Sequence, residues 1–165
     1  DEAELVRSLH LLTAKPVLFV LNNKTGSEST AFTAVREFLA SRGDISVVVD
    51  VGVELDMGDT APEERSAMRE EFAHGSDGVD GLIRAGHDLL GLITFFTTGE
   101  DETRGWTIKR GSTAPIAGTA IHTDFKDKFI RAEVIQWDKL LEGGLTRTEG
   151  KEYIVKDGDV IEFKI

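Results

Sequence analysis

Two short apolar runs in the first third of the chain constrain its fold most strongly. Val17–Leu21 is continuous and apolar, and Ile45–Val51 is rich in β-branched residues, which is typical of strands buried on both faces. Between them, apolar side chains recur at helical spacing from Thr30 to about Arg42, where a glycine follows as a stop. This order predicts a β-α-β unit with a parallel strand pair and a right-handed crossover.

Helical patterns flank this unit on both sides. We expect a helix over Glu2–Leu12, because leucines recur at helical spacing and Lys15-Pro16 then stops the helix. A second helix is expected from Thr60 to about Ala73, and a third over Val79–Leu90. The first part of the chain is therefore predicted to be an α/β domain.

From residue 90 onward the pattern changes from helical to strand-like. The expected strands are Leu92–Thr98, Arg104–Ile108, Phe129–Ile135, Tyr153–Val155 and Val160–Ile165. A short helix over Thr113–Ile121 and a helical turn over Trp137–Leu141 lie between them. Two hairpin strands, a helix and further strands predict an α+β domain of the β-grasp, ubiquitin-like type. The domain boundary is placed near residue 90, giving domains 1–89 and 90–165.

Composition limits the kinds of protein this chain can be. The 165 residues include no cysteine, which excludes disulfides and fits a cytoplasmic protein. No apolar run approaches the roughly 20 residues needed to cross a bilayer. The chain begins at Asp1 and not at Met, so we expect a fragment or a processed product.

Charge is distributed unevenly along the chain. Residues 1–88 carry 17 acidic and 8 basic side chains, net −9, and residues 89–165 carry 13 and 11, net −2, which together give −11. An acidic surface repels phosphate, so the first part is expected to be a poor general binder of nucleic acid. The second part can still carry a local basic patch.

No catalytic constellation is expected within the chain. The single Gly-Lys pair, Gly150-Lys151, is followed by Glu152 and precedes a strand, so it does not fit a phosphate-binding P-loop. The four histidines are far apart and show no metal-ligand spacing, and no nucleophile elbow is present. We therefore predict no catalytic residue, no metal site and no cofactor in this chain alone.

A base-binding site is the one ligand site that strand positions favour. Asn22, Asn23 and Lys24 follow the first buried strand, and Asp50–Glu54 follows the second. The carboxyl ends of parallel strands are where α/β proteins bind ligands. An asparagine there can hydrogen-bond a base edge, and a lysine can lie against the base plane. The alternative is an ordinary polar loop.

Several segments together carry a family resemblance. They are LLTAKPVLFVLN (residues 11–22), LIRAGH (82–87), FFTTGEDETRGWTI (95–108), HTDFKDKFIRAEVI (122–135) and EGKEYIVKDGDVIEFKI (149–165). The HTDF corner at residues 122–125 resembles the signature of TGS domains. The FIRAEVI that follows narrows the resemblance to the YchF, Obg-like ATPases.

This resemblance implies a fold and a function for a longer parent protein. That parent would be a cytoplasmic P-loop NTPase of the Obg group, using ATP or GTP with Mg²⁺ and associating with ribosomes and RNA. Residues 1–89 would be the end of its helical arm and the C-terminal part of its nucleotide domain, and residues 90–165 its TGS domain. Without the P-loop, this chain alone would not hydrolyse nucleotide.

The resemblance also implies residues for base recognition. Asn22 matches the first asparagine of the family's N-x-x-E motif, but Thr25 stands where that motif has Glu, and Glu28 is a displaced substitute. With Asn23, Lys24 and Val53 these form the candidate base site. A second departure is Leu141–Leu145, which is shorter than the Ala- and Glu-rich segment of the family.

Two functions for the second domain stay open. In the first, basic and polar side chains near the HTDF corner hold ribosomal RNA; these are Lys109, Arg110, His122, Lys126, Lys128 and Arg131. In the second, the domain is a protein-interaction module with no role in nucleic-acid binding, and its sheet binds a partner through a face or an edge.

Overall fold

The computed structural model describes residues 8–24, 26–27, 30–72, 77–99 and 101–165. The chain divides into two compact units, Asp1–Leu89 and Leu90–Ile165. Most of the helix expected over Glu2–Leu12 lies outside the described residues. The described part there contains a 3₁₀ helix, Leu12–Ala14.

A parallel strand pair forms the centre of the first unit. β1 (Leu18–Asn22) pairs with β2 (Ile45–Val49), in register from Leu18 opposite Ile45 to Asn22 opposite Val49. α1 (Thr30–Arg42) connects the two strands, and Gly43 follows it with a φ of 71°, a conformation that favours glycine. The predicted parallel β-α-β order is confirmed.

In the described part of the first unit, three helices follow β2. They are α2 (Val51–Gly58), α3 (Pro62–Phe72) and α4 (Gly78–Leu89). The expectation of a strand reaching Val51 is wrong, because the Asp50 carboxylate accepts hydrogen bonds from the Gly52 and Val53 amides at 3.1 and 3.2 Å. This N-cap ends the strand and starts α2, which the apolar pattern alone did not predict.

A five-stranded mixed sheet forms the second unit. Its elements in chain order are β3 (Leu92–Thr98), β4 (Thr103–Lys109), α5 (Ala114–Gly118), α6 (Asp124–Asp127), β5 (Arg131–Gln136), α7 (Trp137–Leu141), β6 (Arg147–Glu149) and β7 (Asp159–Lys164). The strand order is β4-β3-β7-β5-β6. β3 runs parallel to β7, and the other neighbours are antiparallel, including the predicted β3–β4 hairpin.

One face of this sheet carries the main core. Phe95, Val134 and Ile161 are almost completely buried on it, together with Ala114 and Ala117 of α5. Phe163 makes edge-on ring contacts with Phe95, Phe125 and Phe129, with ring centroids 5.6 to 6.4 Å apart. These contacts hold the α5–α6 segment against the sheet.

Several expected elements of the second unit differ in the structure. The expected strand Tyr153–Val155 is wrong, since only an isolated bridge between Ile154 and Thr113 forms there. The short strand β6 and helix α6 were not expected. In addition, β5 starts at Arg131, two residues later than predicted.

No helix in the described part of the chain combines the length and the apolar character that a bilayer crossing requires.

Candidate functional site

A pocket of about 390 Å³ opens at the carboxyl ends of β1 and β2. The residues that line it are Asn22, Lys24, Asp50, Gly52, Val53 and Asp56. Two come from the end of β1 and four from the turn into α2 and its first turns. Parallel strands place the two segments side by side, at the usual ligand position of an α/β sheet.

Local hydrogen bonds orient the polar groups of this pocket. Asn22 Oδ1 accepts from the Val51 amide at 3.3 Å, which fixes the direction of its carboxamide. Asp50 is 5% exposed and caps α2, so the start of that helix is held against the pocket. The carboxamide thus sits on a defined backbone and not on a free loop.

The chemistry of the lining favours a planar polar heterocycle over a phosphate. A carboxamide can pair with a base edge, and the alkyl stem of Lys24 can cover a ring face. Asp50 and Asp56 add negative charge, which disfavours a phosphate group in the same space. The pocket is therefore suited to a nucleobase and its sugar.

The structure brings together only part of the predicted base site. Asn22, Lys24 and Val53 line one pocket, whereas the Asn23 side chain donates to the Lys24 carbonyl at 3.3 Å and is not among the lining residues described. Glu28 lies outside the described residues, as does Thr25. Asp56 was missed, since its place three residues after Val53 matters only once α2 is known to be a helix.

The HTDF corner in the second unit is held by polar contacts and one aromatic anchor. His122 Nδ1 accepts from the Asp124 amide at 3.1 Å, and the Asp124 carboxylate contacts Lys128 Nζ at 2.5 Å. Phe125 packs on Phe163, and a Cβ at Gly118 would lie 2.7 Å from Phe125 Cβ. Gly118 therefore allows the phenyl group to dock closely.

The Asp124–Lys128 pair sets the charge of this corner. The hydrogen bond and charge of Lys128 hold the pKa of the Asp124 carboxyl below its ordinary value. The same contact raises the pKa of Lys128, so both groups are ionised near neutral pH. The side chains of His122 and Lys128 are 64% and 63% exposed, which leaves them accessible to a partner.

Strand register separates the six predicted docking residues into two groups. Lys109 pairs with Leu92 at the start of β3, Phe96 pairs with Val160, and Arg131 pairs with Lys164. Leu92 precedes Phe96 by four residues and Lys164 follows Val160 by four, so eight strand positions separate the two ends. At about 3.3 Å per residue the groups lie roughly 26 Å apart along the sheet.

The two groups therefore cannot form one patch around the corner. His122, Lys126, Lys128 and Arg131 follow one another closely in the chain at the Lys164 end, and we call them the corner cluster. Lys109 and Arg110 lie at the other end, where Lys109 Nζ donates to the Leu90 carbonyl at 2.9 Å. The parallel β3–β7 pairing separates the two groups, and such a long-range pairing leaves no local pattern in the sequence.

Charged residues also alternate across β5 and β7 beside the corner cluster. Arg131 faces Lys164 and Glu133 faces Glu162, so like charges are opposed across the strands. Pairs along each strand offset this, with Arg131 3.6 Å from Glu133 and Lys164 in contact with Glu162. Lys164, which is not among the six predicted docking residues, thus adds a cation at this end.

Metal binding finds no support in the described residues, among which no three His, Cys, Asp or Glu side chains form a group that could hold an ion.

Comparisons with known proteins identify relatives of the chain. A family model named YchF-GTPase_C, with the description "Protein of unknown function (DUF933)", matches residues 92–165. "Ribosome-binding ATPase YchF" of Bacillus subtilis (strain 168) is 41% identical over 180 residues, covering 99% of this chain and 49% of that protein. The protein of the same name from Escherichia coli O157:H7 is 41% identical over 174 residues, covering 99% and 48%.

A solved structure shows the same relationship. The chain matches the Schizosaccharomyces pombe YchF GTPase with a TM-score of 0.85 and 31% sequence identity, over 98% of this chain and 46% of that one. The chain thus spans about half the length of the relatives it matches. The B. subtilis alignment has 180 positions against 165 residues here, so at least 15 positions of that relative lie opposite gaps.

Proposed function

We propose that this chain has two roles within a nucleotide hydrolase, because it belongs to the YchF family and matches the C-terminal half of its members. Its first unit supplies the base-binding side of the nucleotide site. Its second unit, a TGS domain of β-grasp type, docks on the ribosome. The observation that carries the first role is the convergence of Asn22, Lys24, Val53 and Asp56 on one pocket.

The first unit has the features of part of a larger P-loop domain. Among the described strands, β1 pairs only with β2, which leaves its other edge for a further strand. Phe38, Leu55 and Ile83 are 58%, 75% and 55% exposed, an apolar surface that additional chain would cover. Such chain would also supply the P-loop that holds the phosphates and Mg²⁺ of ATP or GTP.

The pocket residues then have separate roles toward the nucleotide. Asn22 binds the base edge, Lys24 covers the base plane, and Val53 packs against the opposite side. Asp56 is placed to accept from an exocyclic amino group or a ribose hydroxyl. All of these interactions position the nucleotide, and the hydrolytic step belongs to groups on the phosphate side.

The second unit supports ribosome docking through the corner cluster. Four basic or protonatable side chains lie close together in the chain at one end of the sheet, and Phe125 anchors their corner to the core. Exposed lysine and arginine side chains bind RNA phosphates with a strong salt dependence. Two curated relatives carry "Ribosome-binding ATPase" in their names, which supports a ribosomal partner and a cytoplasmic location.

Nucleotide affinity tests the base-binding role. In a polypeptide that joins this chain to the other half present in its relatives, we expect Asn22→Ala to weaken binding of fluorescent ATP or GTP about tenfold, the effect of one lost hydrogen bond of about 1.4 kcal/mol. Asn23→Ala is the matched control, since that side chain bonds to the loop carbonyl of Lys24. Equal effects of the two substitutions would refute the assignment.

A further inference from the structure

An apolar groove lies on the sheet face opposite the main core of the second unit. Phe96 and Val160 form its floor, and Trp137, Leu140 and Leu141 of α7 form its wall, with Thr98 and Thr103 at one end. Its volume is about 420 Å³, and a smaller hollow of about 120 Å³ continues from it along β7. We call it the open-face groove.

Backbone register and two glycines fix the shape of this groove. One row crosses four strands, with Gly105, Phe96, Val160 and Ile135 side by side. A Cβ at Gly105 would lie 3.5 Å from Phe96 Cε1, so the phenyl ring lies over that glycine. A Cβ at Gly158 would lie 2.7 Å from Trp137 Cδ1, so the indole ring packs directly against that glycine.

The wall of the groove exposes large apolar side chains. Trp137 is 53% exposed and Leu141 is 79% exposed, whereas Val160 on the floor is 9% exposed. The two threonine hydroxyls at the end of the groove bond to each other at 2.9 Å and so complete a mostly apolar lining. An exposed apolar patch of this kind with a polar rim marks an interaction site.

The floor strands leave no free edge to which an occupant could add a strand. β3 pairs with β4 and β7, and β7 pairs with β3 and β5, so both strands have neighbours on each side. An occupant can therefore insert side chains but cannot extend the sheet at this place. A segment that satisfies its own backbone hydrogen bonds is therefore favoured, and a helix does so.

The rim selects the charge of the occupant. Asp101 and Glu102 are exposed in the turn between Thr98 and Thr103, which a bond from the Gly99 amide to the Glu102 carbonyl closes at 2.9 Å. Glu142 is exposed directly after Leu141 on the other side. Exposed bases beside the same lining residues are fewer, namely Lys139 on α7 and Arg104 after Thr103, so the surroundings of the groove are acidic on balance and attract a basic amphipathic segment.

We propose that the open-face groove docks the apolar face of a basic amphipathic helix from a partner protein. A second copy of this chain is disfavoured, because the net charge of −11 brings acidic surfaces together. RNA is disfavoured because the negative net charge repels phosphate and because the floor of the groove is apolar. The groove shares no lining residue with the pocket at β1 and β2 or with the corner cluster.

Binding of synthetic helical peptides tests the proposal. The probes are two peptides of about 18 residues, five helical turns, with leucine on one face and either lysine or glutamate on the other. Trp106→Phe leaves Trp137 as the only tryptophan, so a blue shift of its emission reports occupancy. Calorimetry on the unsubstituted chain gives the same affinities without relying on that variant.

Matched variants separate groove binding from general charge attraction. We expect Leu141→Ser to weaken binding of the lysine peptide about tenfold, as for a contact at the centre of an interface. Leu145 is 94% exposed and lies outside the groove lining, so Leu145→Ser should leave that affinity unchanged. D101N/E102Q should weaken binding, while E63Q/E64Q, which removes two exposed acids from α3, should not.

Three results would overturn the proposal. One is equal binding of the lysine peptide to the Leu141→Ser and Leu145→Ser variants. Another is binding of the glutamate peptide as tight as that of the lysine peptide. The third is self-association of the unsubstituted chain in sedimentation velocity that Leu141→Ser abolishes, which would make a second copy the occupant.

Discussion

The Tyr153 hydroxyl donates a hydrogen bond of 2.7 Å to Asp159 Oδ2, a carboxylate with no exposed surface. The same carboxylate accepts from Gln136 Nε2 at 2.6 Å and from the Lys156 amide at 2.8 Å. Arg147 donates to the Tyr153 hydroxyl at 2.8 Å and lies over its ring. This buried polar centre joins the end of β5, the start of β6 and the start of β7.

The ionisation of Tyr153 should report this arrangement directly. Burial first, and then the bond to Asp159, raise the pKa of Tyr153 from 10.0 to about 12. A raised pKa means that its contribution to stability is complete below pH 10 and is lost as the pH rises through about 12.

Since Tyr153 is the only tyrosine, phenolate absorbance measures its pKa without interference from other tyrosines. We expect the native midpoint near pH 12 and a midpoint near pH 10 in denaturant. A native midpoint near 10 would show that the hydroxyl is not held by Asp159.

Removing the Tyr153 hydroxyl should destabilise the second unit. Tyr153→Phe takes one donor from a buried carboxylate, so we expect the free energy of unfolding to fall by about 1–3 kcal/mol in urea denaturation. Thr98→Val removes a hydroxyl that bonds to Thr103 at an exposed site, and should change stability by less than about 0.5 kcal/mol. Equal losses in the two variants would contradict a special role for the buried centre.

Two glycines with positive φ provide a packing test. Gly158 has φ 79° and a Cβ there would meet Trp137, whereas Gly143 has φ 74° and nothing within 4 Å of its Cβ position. Gly143→Ala should cost about 1 kcal/mol of backbone strain, and Gly158→Ala should cost about 1–3 kcal/mol more because the indole must move. Chemical denaturation measures both, and similar losses would argue against close packing of Trp137.

Lys128 should control the ionisation of Asp124. We expect Lys128→Ala to raise the pKa of Asp124 toward its ordinary value of 3.8, as measured by NMR of the side-chain carboxyl carbon. Lys126→Ala, two residues from Asp124 in the chain, should leave the pKa of Asp124 unchanged. In the unsubstituted chain, any contribution to stability from the lowered pKa is present above pH 3.8 and lost as the pH falls through the native value.

Elements with local signals were predictable from the sequence. α1, the parallel β1–β2 pair and the β3–β4 hairpin follow from apolar spacing and turn residues. α2 was missed because Val51 and Val53 continue a β-branched run, and the Asp50 cap that starts the helix depends on a single side chain. The strand expected at Tyr153–Val155 fails because that segment pairs with Ser112–Ala114 through a single isolated bridge in the described part of the chain, and the Tyr153 hydroxyl and the Lys156 amide bond to the Asp159 side chain.

The candidate sites were predictable only as far as chain position determines them. Asn22 and Lys24 follow a buried strand and do line a pocket, while Asp56 depends on an unpredicted helix. The open-face groove joins Phe96, Trp137 and Val160, which are far apart in the sequence. The parallel β3–β7 pairing brings Phe96 to Val160, and the antiparallel β5–β7 pairing brings Trp137 there. Such long-range pairings leave no local pattern to detect.

Binding of this chain to ribosomes tests most directly the division of labour between the two units. We predict that the chain co-sediments with ribosomes without added nucleotide, with affinity that falls as salt rises, and that Asn22→Ala has no effect. K126A/R131A in the corner cluster should weaken binding about tenfold, since each phosphate contact contributes to affinity, while K109A/R110A at the far end of the sheet should not. Equal binding of the two double variants, or no binding of the unsubstituted chain at low salt, would contradict this division of labour.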